Sequence, residues 1–355
     1  MKKLLAVIAC LPVLLQNCAK TNDTPEPVSS VSTVSSVSSV STASSVLSTT
    51  TYNYLVTFPA HIQTALAATD NMPANNPITN DGAILGRVLF YDKNLSFNRT
   101  VSCGSCHKQA NAFDDEVALS KGFDNALTTR NSMSLLNIRF YKSGKMFWDE
   151  RAATVEKQAL QPIQNHLEMG LTLAELESRV KAQSYYPALF QKAFGSTSID
   201  SVKIAKALAQ FERSIVTYQS KYDRVKQGLE TFTTLEARGE QVFLTAPANA
   251  GAVSCAGCHT PPMFLTSTPA GAFAFPREAG INGQPRFKSG SLRNISTRKF
   301  LFHNGTIADV STMLNAGVPA HGVPRPDVAA LLAFFNTLTD DSITSDPKFS
   351  NPFKQ

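Results

Sequence analysis

Two copies of one chemical unit stand out in the sequence. Cys103-Gly104-Ser105-Cys106-His107 and Cys255-Ala256-Gly257-Cys258-His259 each place two thiols three positions apart, with an imidazole directly after the second. Thiols at that spacing can bond the two vinyl groups along one porphyrin edge. The next residue then falls beneath the iron, where an imidazole nitrogen serves as the proximal ligand. His107 and His259 are therefore expected iron ligands, and Cys103, Cys106, Cys255 and Cys258 the covalent anchors of two c-type haems. The alternatives explain less. A disulfide framework spaces its cysteines unevenly, a thioredoxin-like motif lacks the following histidine, and a pair of zinc ribbons leaves a histidine after each unit without a purpose. The chain has six cysteines, and the two outside these units, Cys10 and Cys18, lie near the N-terminus.

That N-terminus explains how the thiols would meet haem. Lys2 and Lys3 precede a short apolar run from Leu4 to Leu15, the pattern of a secretion signal. The run is shorter than the ~20 residues a membrane span needs, and no later segment is long and apolar enough to span. Residues 1–18 are thus expected to be a signal peptide. Cys18 stands where a bacterial lipoprotein would be cleaved and lipidated, although small residues usually precede such a cysteine; plain cleavage is the alternative. Residues 19–51 are dominated by Ser, Thr and Val, too poor in bulky apolar surface to offset the entropy of ordering, and read as a disordered linker. The expected location is the periplasm or cell envelope, with a candidate lipid anchor at Cys18. The net charge of +6 comes without a dense basic run, which argues against nucleic acid as a partner.

The rest of the 355 residues, 43% apolar over the whole chain, must position the two units. The periodicity is helical nearly throughout and strand alternation is weak. Asp81 is placed to cap a helix carrying Ile84, Leu85, Val88 and Leu89. Thr172 with Glu175, and Thr233 with Glu236, form capping-box patterns. Val202, Ala205, Leu208, Ala209, Glu212 and Ile215 share a helical face on which Glu212 is the only polar member, and Asp327 precedes the apolar face of Val328, Leu331, Leu332, Phe335 and Leu338. Each C-x-x-C-H unit follows a helical segment, so the chain repeats itself loosely. The expectation is a mainly α fold of two cytochrome c-like helical domains, each around one haem, over residues 52–220 and 221–355.

Further short motifs follow in order: Leu89-Phe90-Tyr91-Asp92, Thr129-Arg130-Asn131-Ser132, Phe147-Trp148-Asp149-Glu150-Arg151-Ala152, Pro162-Ile163-Gln164 with Glu168-Met169-Gly170, Phe211-Glu212-Arg213, Lys221-Tyr222-Asp223, Ser291-Leu292-Arg293-Asn294 and Phe302-His303-Asn304-Gly305. With the two haem units among them, the chain resembles the bacterial dihaem cytochrome c peroxidases and the related dihaem enzymes that mature the tryptophan-derived cofactor of methylamine dehydrogenase. The resemblance covers about Asp81 to Thr339. It implies that the His107 haem is peroxidatic and that the His259 haem accepts electrons. It implies Glu168 as the distal proton shuttle, Gln158 as a distal glutamine, Trp148 as the relay between haems, Asn131 as a side chain helping to hold a calcium ion, and His303 as a structural histidine between the haems.

Two departures matter. Where family members at rest block the peroxidatic iron with a histidine, this sequence has no histidine between His107 and His166; the position falls near Phe123, which cannot bind iron. An N-terminal haem open without activation is expected. The position of the C-terminal haem's usual sixth ligand falls at Gly317; Met313 is the nearest candidate ligand and His321 a second, with no ligand as the remaining alternative. His166 is placed either to line the distal pocket or to face solvent, and His61 is expected at the surface.

The expected function is reduction of hydrogen peroxide to water, with electrons from a small cytochrome c or blue-copper protein. The alternatives are peroxide-driven oxidation of a protein or organic substrate, and a non-enzymatic electron carrier with both irons six-coordinate. Family members often form homodimers.

Overall fold

The computed structural model describes residues 46–48, 50–246, 254–266, 279–316 and 325–354, all within one compact unit. Cys10, Cys18, Gly317 and His321 lie outside the described residues. The fold is mainly helical, and among the described residues β-structure is limited to isolated bridges. The first half contains α1 (Ala60–Thr69), α2 (Asn80–Tyr91), α3 (Cys103–Cys106), α4 (Val155–Gln164), α5 (Leu173–Lys181), α6 (Tyr186–Phe194) and α7 (Ser201–Ser214). The second contains α8 (Lys221–Lys226), α9 (Thr234–Leu244), α10 (Cys255–Cys258), α11 (Val310–Asn315), α12 (Arg325–Thr337) and α13 (Ser342–Ser345).

The helices start where side chains satisfy orphan backbone donors. The two capping boxes form as expected, Thr172 with Glu175 and Thr233 with Glu236. Two expected caps do not. The α2 cap is Thr79, whose hydroxyl accepts from Gly82 N, and Asp81 sits inside the first turn. Asp327 likewise lies within the first turn of α12 and pairs with Arg238 at 2.8 Å. On α7, Val202 is 62% exposed, because the helix turns Ile204, Ala207, Leu208 and Phe211 inward instead.

Two apolar clusters form the interior. One gathers α2, α4, α5, α6 and α7, and takes in Ile343 and Phe349 from the chain's end; the other gathers α9, α11 and α12 around Phe243, Phe264 and Phe334. Each cluster holds a helix pair in close contact. A Cβ on Gly86 of α2 would lie 2.0 Å from the Ala207 carbonyl oxygen of α7, and a Cβ on Gly239 of α9 would lie 2.0 Å from the Ala330 oxygen of α12. Only glycine permits either approach.

The repeat runs deeper than the helices. Leu135 N donates to Phe113 O in the first half as Leu292 N does to Phe264 O in the second. Asn137 and Asn294 share the left-handed conformation, as do Phe147 and Phe302, a region uncommon for bulky residues. A bridge joins Met146 to Ala152, and another joins Leu301 to Ile307. By this correspondence Trp148 matches His303 and Asn131 matches Lys288. The halves exchange matching hydrogen bonds there: Asn131 N to His303 O at 2.9 Å, and Lys288 N to Trp148 O at 2.8 Å.

Candidate active site

The first C-x-x-C-H unit makes one helical turn. Ser102 and Ser105 close a capping box around it, which brings Cys103 and Cys106 to one side and leaves His107 at its end. His107 Nδ1 lies 3.3 Å from the Phe113 carbonyl oxygen. Such a bond fixes ring and tautomer and frees Nε2 for metal. Burial lowers the His107 pKa, which keeps the imidazole neutral and able to bind iron. Burial pushes the Cys106 thiol up to about 11 and raises Cys103 further, and neither is in a disulfide. Protonated thiols held three positions apart are the form that adds across vinyl groups.

The second unit repeats the arrangement. Cys255 to Cys258 form one turn, and His259 Nδ1 lies 3.1 Å from the Gly290 carbonyl oxygen. Met313 is buried in the second apolar cluster, with Leu292, Leu301 and Val310 among its members.

A cavity of about 620 Å³, including its open mouth, stands over the first unit. Cys103, Cys106 and His107 line it together with Phe90, Leu135 and Ser132. Gln158, Ala159 and Pro162 reach it from α4, and Glu168 and Met169 from the loop behind α4. The donor set and the space fit a covalently held haem. The one histidine among the lining residues is His107, while Met169 and Lys121 were not singled out in the sequence.

The Glu168 loop folds back onto the end of α4. Asn165 O accepts from Glu168 N and Gly170 N, and Ile163 O accepts from Leu171 N. Gly170 has φ +73°, and a Cβ there would meet the Phe123 ring at 2.5 Å. Phe123 N in turn donates to Glu168 O at 2.9 Å. Phe123 therefore braces the loop that carries Glu168, and its ring is absent from the cavity lining. Asn165 Nδ2 donates to Glu168 Oε1 at 2.6 Å. Burial raises the Glu168 pKa, and the Asn165 bond and Arg151 oppose that shift.

His166 is exposed and outside the lining. Trp148 donates from Nε1 to Asn131 O at 2.8 Å and packs edge to face on buried His303, which stacks on Phe287 at 3.6 Å. The Asn131 amide donates to Ala118 O at 3.0 Å. His61 is not a free surface residue: Nε2 lies 2.9 Å from Asp223 Oδ1.

Sequence reasoning gave Glu212 no function. It is 4% exposed, lines the cavity, and its Oε2 has no hydrogen-bond partner among the described residues. Its signal was one polar residue on an apolar helical face.

A family model described as di-haem cytochrome c peroxidase matches residues 80–231. Methylamine utilization protein MauG of Methylophilus methylotrophus is 32% identical over 257 residues, which cover 69% of this chain and 75% of that one. The chain belongs to the di-haem cytochrome c peroxidase family. Cytochrome c551 peroxidase of Nitrosomonas europaea is 30% identical over 311 residues, 79% of this chain and 88% of the relative. Among solved structures, a MauG-like protein associated with microbial copper homeostasis superposes with a TM-score of 0.71 at 28% identity, over 85% of this chain and 99% of that one. The diheme peroxidase BthA from Burkholderia thailandensis shares the fold, with a TM-score of 0.61 at 22% identity over 75% and 87%. Membership in a di-haem family accounts for both C-x-x-C-H units and for the helical repeat, and it makes the chain an oxidoreductase.

Proposed function

We propose that this protein reduces hydrogen peroxide to water in the cavity over His107, with electrons from a small redox protein such as a cytochrome c or a blue-copper protein. The observation that carries this reading is a cavity lined by both anchoring cysteines, the part-buried Glu168 carboxyl and a distal amide, with no histidine but His107 among the described residues. The haem held by Cys103, Cys106 and His107 would supply an iron centre at which a peroxide O–O bond is split reductively.

The protein's own groups then handle protons. Glu168 takes a proton from the near peroxide oxygen and returns it to the far one, which leaves as water. Burial makes the carboxylate a stronger base than a solvated one, and Asn165 aims it. Gln158 offers an amide to the bound oxygen. Trp148 and His303 occupy the contact between halves and form the aromatic path from the His259 side.

Three tests apply. The ferric spectrum should contain a high-spin component from the His107 site. Two purely low-spin irons would mean a strong sixth ligand at the His107 iron, for which Met169 and Lys121 are the lining candidates, and would reduce the protein to an electron carrier. Glu168→Gln should abolish peroxide turnover while both haems stay bound.

A second reading is favoured by relatives named for methylamine utilization and by a lining without a second histidine: the same peroxide chemistry removes electrons from a protein or organic substrate. Turnover on reduced cytochrome c, set against oxidation of co-expressed partners, separates the two. Residues 52–220 and 221–355 serve as peroxidatic and electron-accepting domains in this proposal. Met313 is proposed as the sixth ligand of the His259 haem and Asn131 as a contributor to a calcium site. A periplasmic or envelope location with a lipid tether at Cys18 and assembly as a homodimer complete it; mass analysis of the mature N-terminus tests the tether.

A further inference from the structure

Glu212 is a carboxyl where the fold otherwise uses a hydrocarbon. Gly86 packs against Ala207 and Phe211 of α7 just as Gly239 packs against Ala330 and Phe334 of α12. The residue after Phe334 is Phe335, buried at 3% exposure; the residue after Phe211 is Glu212, equally buried. Its Oε2 has no hydrogen-bond partner among the described residues, and the side chain lines the cavity that Cys103, Cys106 and His107 share. Leaving a buried polar atom unpaired is costly. Nothing in the packing of α7 requires that cost, since the matching position is filled by a phenyl ring.

We propose that Glu212 is the group that takes up a proton whenever an electron enters the N-terminal haem pocket, keeping the buried charge constant. An added electron in a low-dielectric interior is costly unless a cation accompanies it. Where Glu212 is ionised beforehand, each electron delivered to the His107 site is matched by one proton arriving at Glu212, and each electron withdrawn releases that proton. The electron comes from the external donor and the proton from solvent, so charge balances in both directions.

The surroundings suit this exchange. Burial raises the Glu212 pKa to about 8, with neighbouring Arg213 opposing and Glu156 reinforcing the shift. Arg213 does not neutralise Glu212, because its guanidinium is committed to Glu156 of α4 at 2.6 and 3.1 Å. On α2, Arg87 turns to the Ser350 carbonyl. Arg179 of α5 turns to the carbonyls of Asn94 and Phe97, and Glu177 accepts from Ser201 N. Arg139, after the turn that meets α7, pairs with Asp70. Across the cavity the ionisable groups are Glu168 and Lys121, and Cys103 is consumed by haem attachment.

The test needs no peroxide, so it stands apart from the peroxidase reading. Redox titration of the holoprotein should show the electron affinity of the His107 haem falling about tenfold per pH unit above about pH 8, where Glu212 is ionised before the electron arrives. Glu212→Gln should flatten that dependence, and Glu168→Gln should retain it. An unvarying wild-type potential overturns the proposal, as does a slope that survives in Glu212→Gln or vanishes in Glu168→Gln. Should Glu212→Gln fail to take up haem, the wild-type infrared difference spectrum between oxidised and reduced protein decides. A protonated-carboxyl band that appears on reduction supports the assignment, and its absence overturns it.

Discussion

Trp148 and His303 meet edge to face, their ring centroids 6.4 Å apart and their planes at 72°. They occupy matching places in the two halves, and each half donates a backbone hydrogen bond to the carbonyl of the other's ring residue. The contact is held from both sides.

Trp148→Phe should keep both haems and the fold, because the ring still packs. It loses the Nε1 hydrogen bond to Asn131 O and the easily oxidised indole. Electron transfer from the His259 haem to the His107 haem, followed by stopped-flow absorption after peroxide addition, should slow by about tenfold or more, equivalent to ~1.4 kcal/mol of barrier. An unchanged rate would take the electron path elsewhere.

The acid limb of peroxide turnover should report Glu168. The working form is the carboxylate, and burial raises its pKa above the ordinary value of about 4.3. Activity therefore declines at a higher pH than a solvated glutamate would impose. The Asn165 bond stabilises the charged form, so Asn165→Ala should move the limb to higher pH still. A limb that moves to lower pH in this variant contradicts the assignment.

Arg293→Met should destabilise the protein by about 3–5 kcal/mol, since it leaves the fully buried Asp223 carboxylate without its guanidinium partner, with only His61 and Ser220 to hold it. Arg293 holds both Asp223 oxygens at 2.6 and 2.8 Å and also bonds Pro262 O, just beyond His259. Burial by itself would raise the Asp223 pKa, but Arg293 outweighs it and the net shift is downward. The pair's contribution is thus complete above the unfolded value of about 3.9 and drains as pH falls through the folded one. Urea melts at neutral and acid pH measure both effects; equal loss in the variant at both would exclude the ionic account.

Gly86→Ala and Gly239→Ala should each cost about 1–3 kcal/mol or more, because the new methyl meets a carbonyl oxygen. Thermal melts give the loss. The Gly86 variant should in addition disturb the His107 haem spectrum, since α7 carries Glu212 into that cavity.

Much of this was legible in the residues, for a physical reason. The C-x-x-C-H spacing is dictated by the porphyrin edge, and capping boxes are satisfied within four residues, so both can be read locally. Glu168 was readable because its loop motif is contiguous. Where long-range packing decides, the reading fails. Val202 shares a face with buried residues yet points outward, and His61 finds its partner Asp223 far along the chain. Glu212 was visible as an oddity on an apolar face, but its meaning depends on which cavity that face meets and on Phe335 standing at the matching place.

A frame built twice can be spoiled once. With Phe335 preserving the full hydrocarbon seal on one side, the chain tolerates an acid at Glu212 on the other, and the two irons inherit different surroundings from nearly identical scaffolds. Symmetry supplies the spare parts, and by our proposal this departure from it lets the His107 centre exchange protons along with electrons.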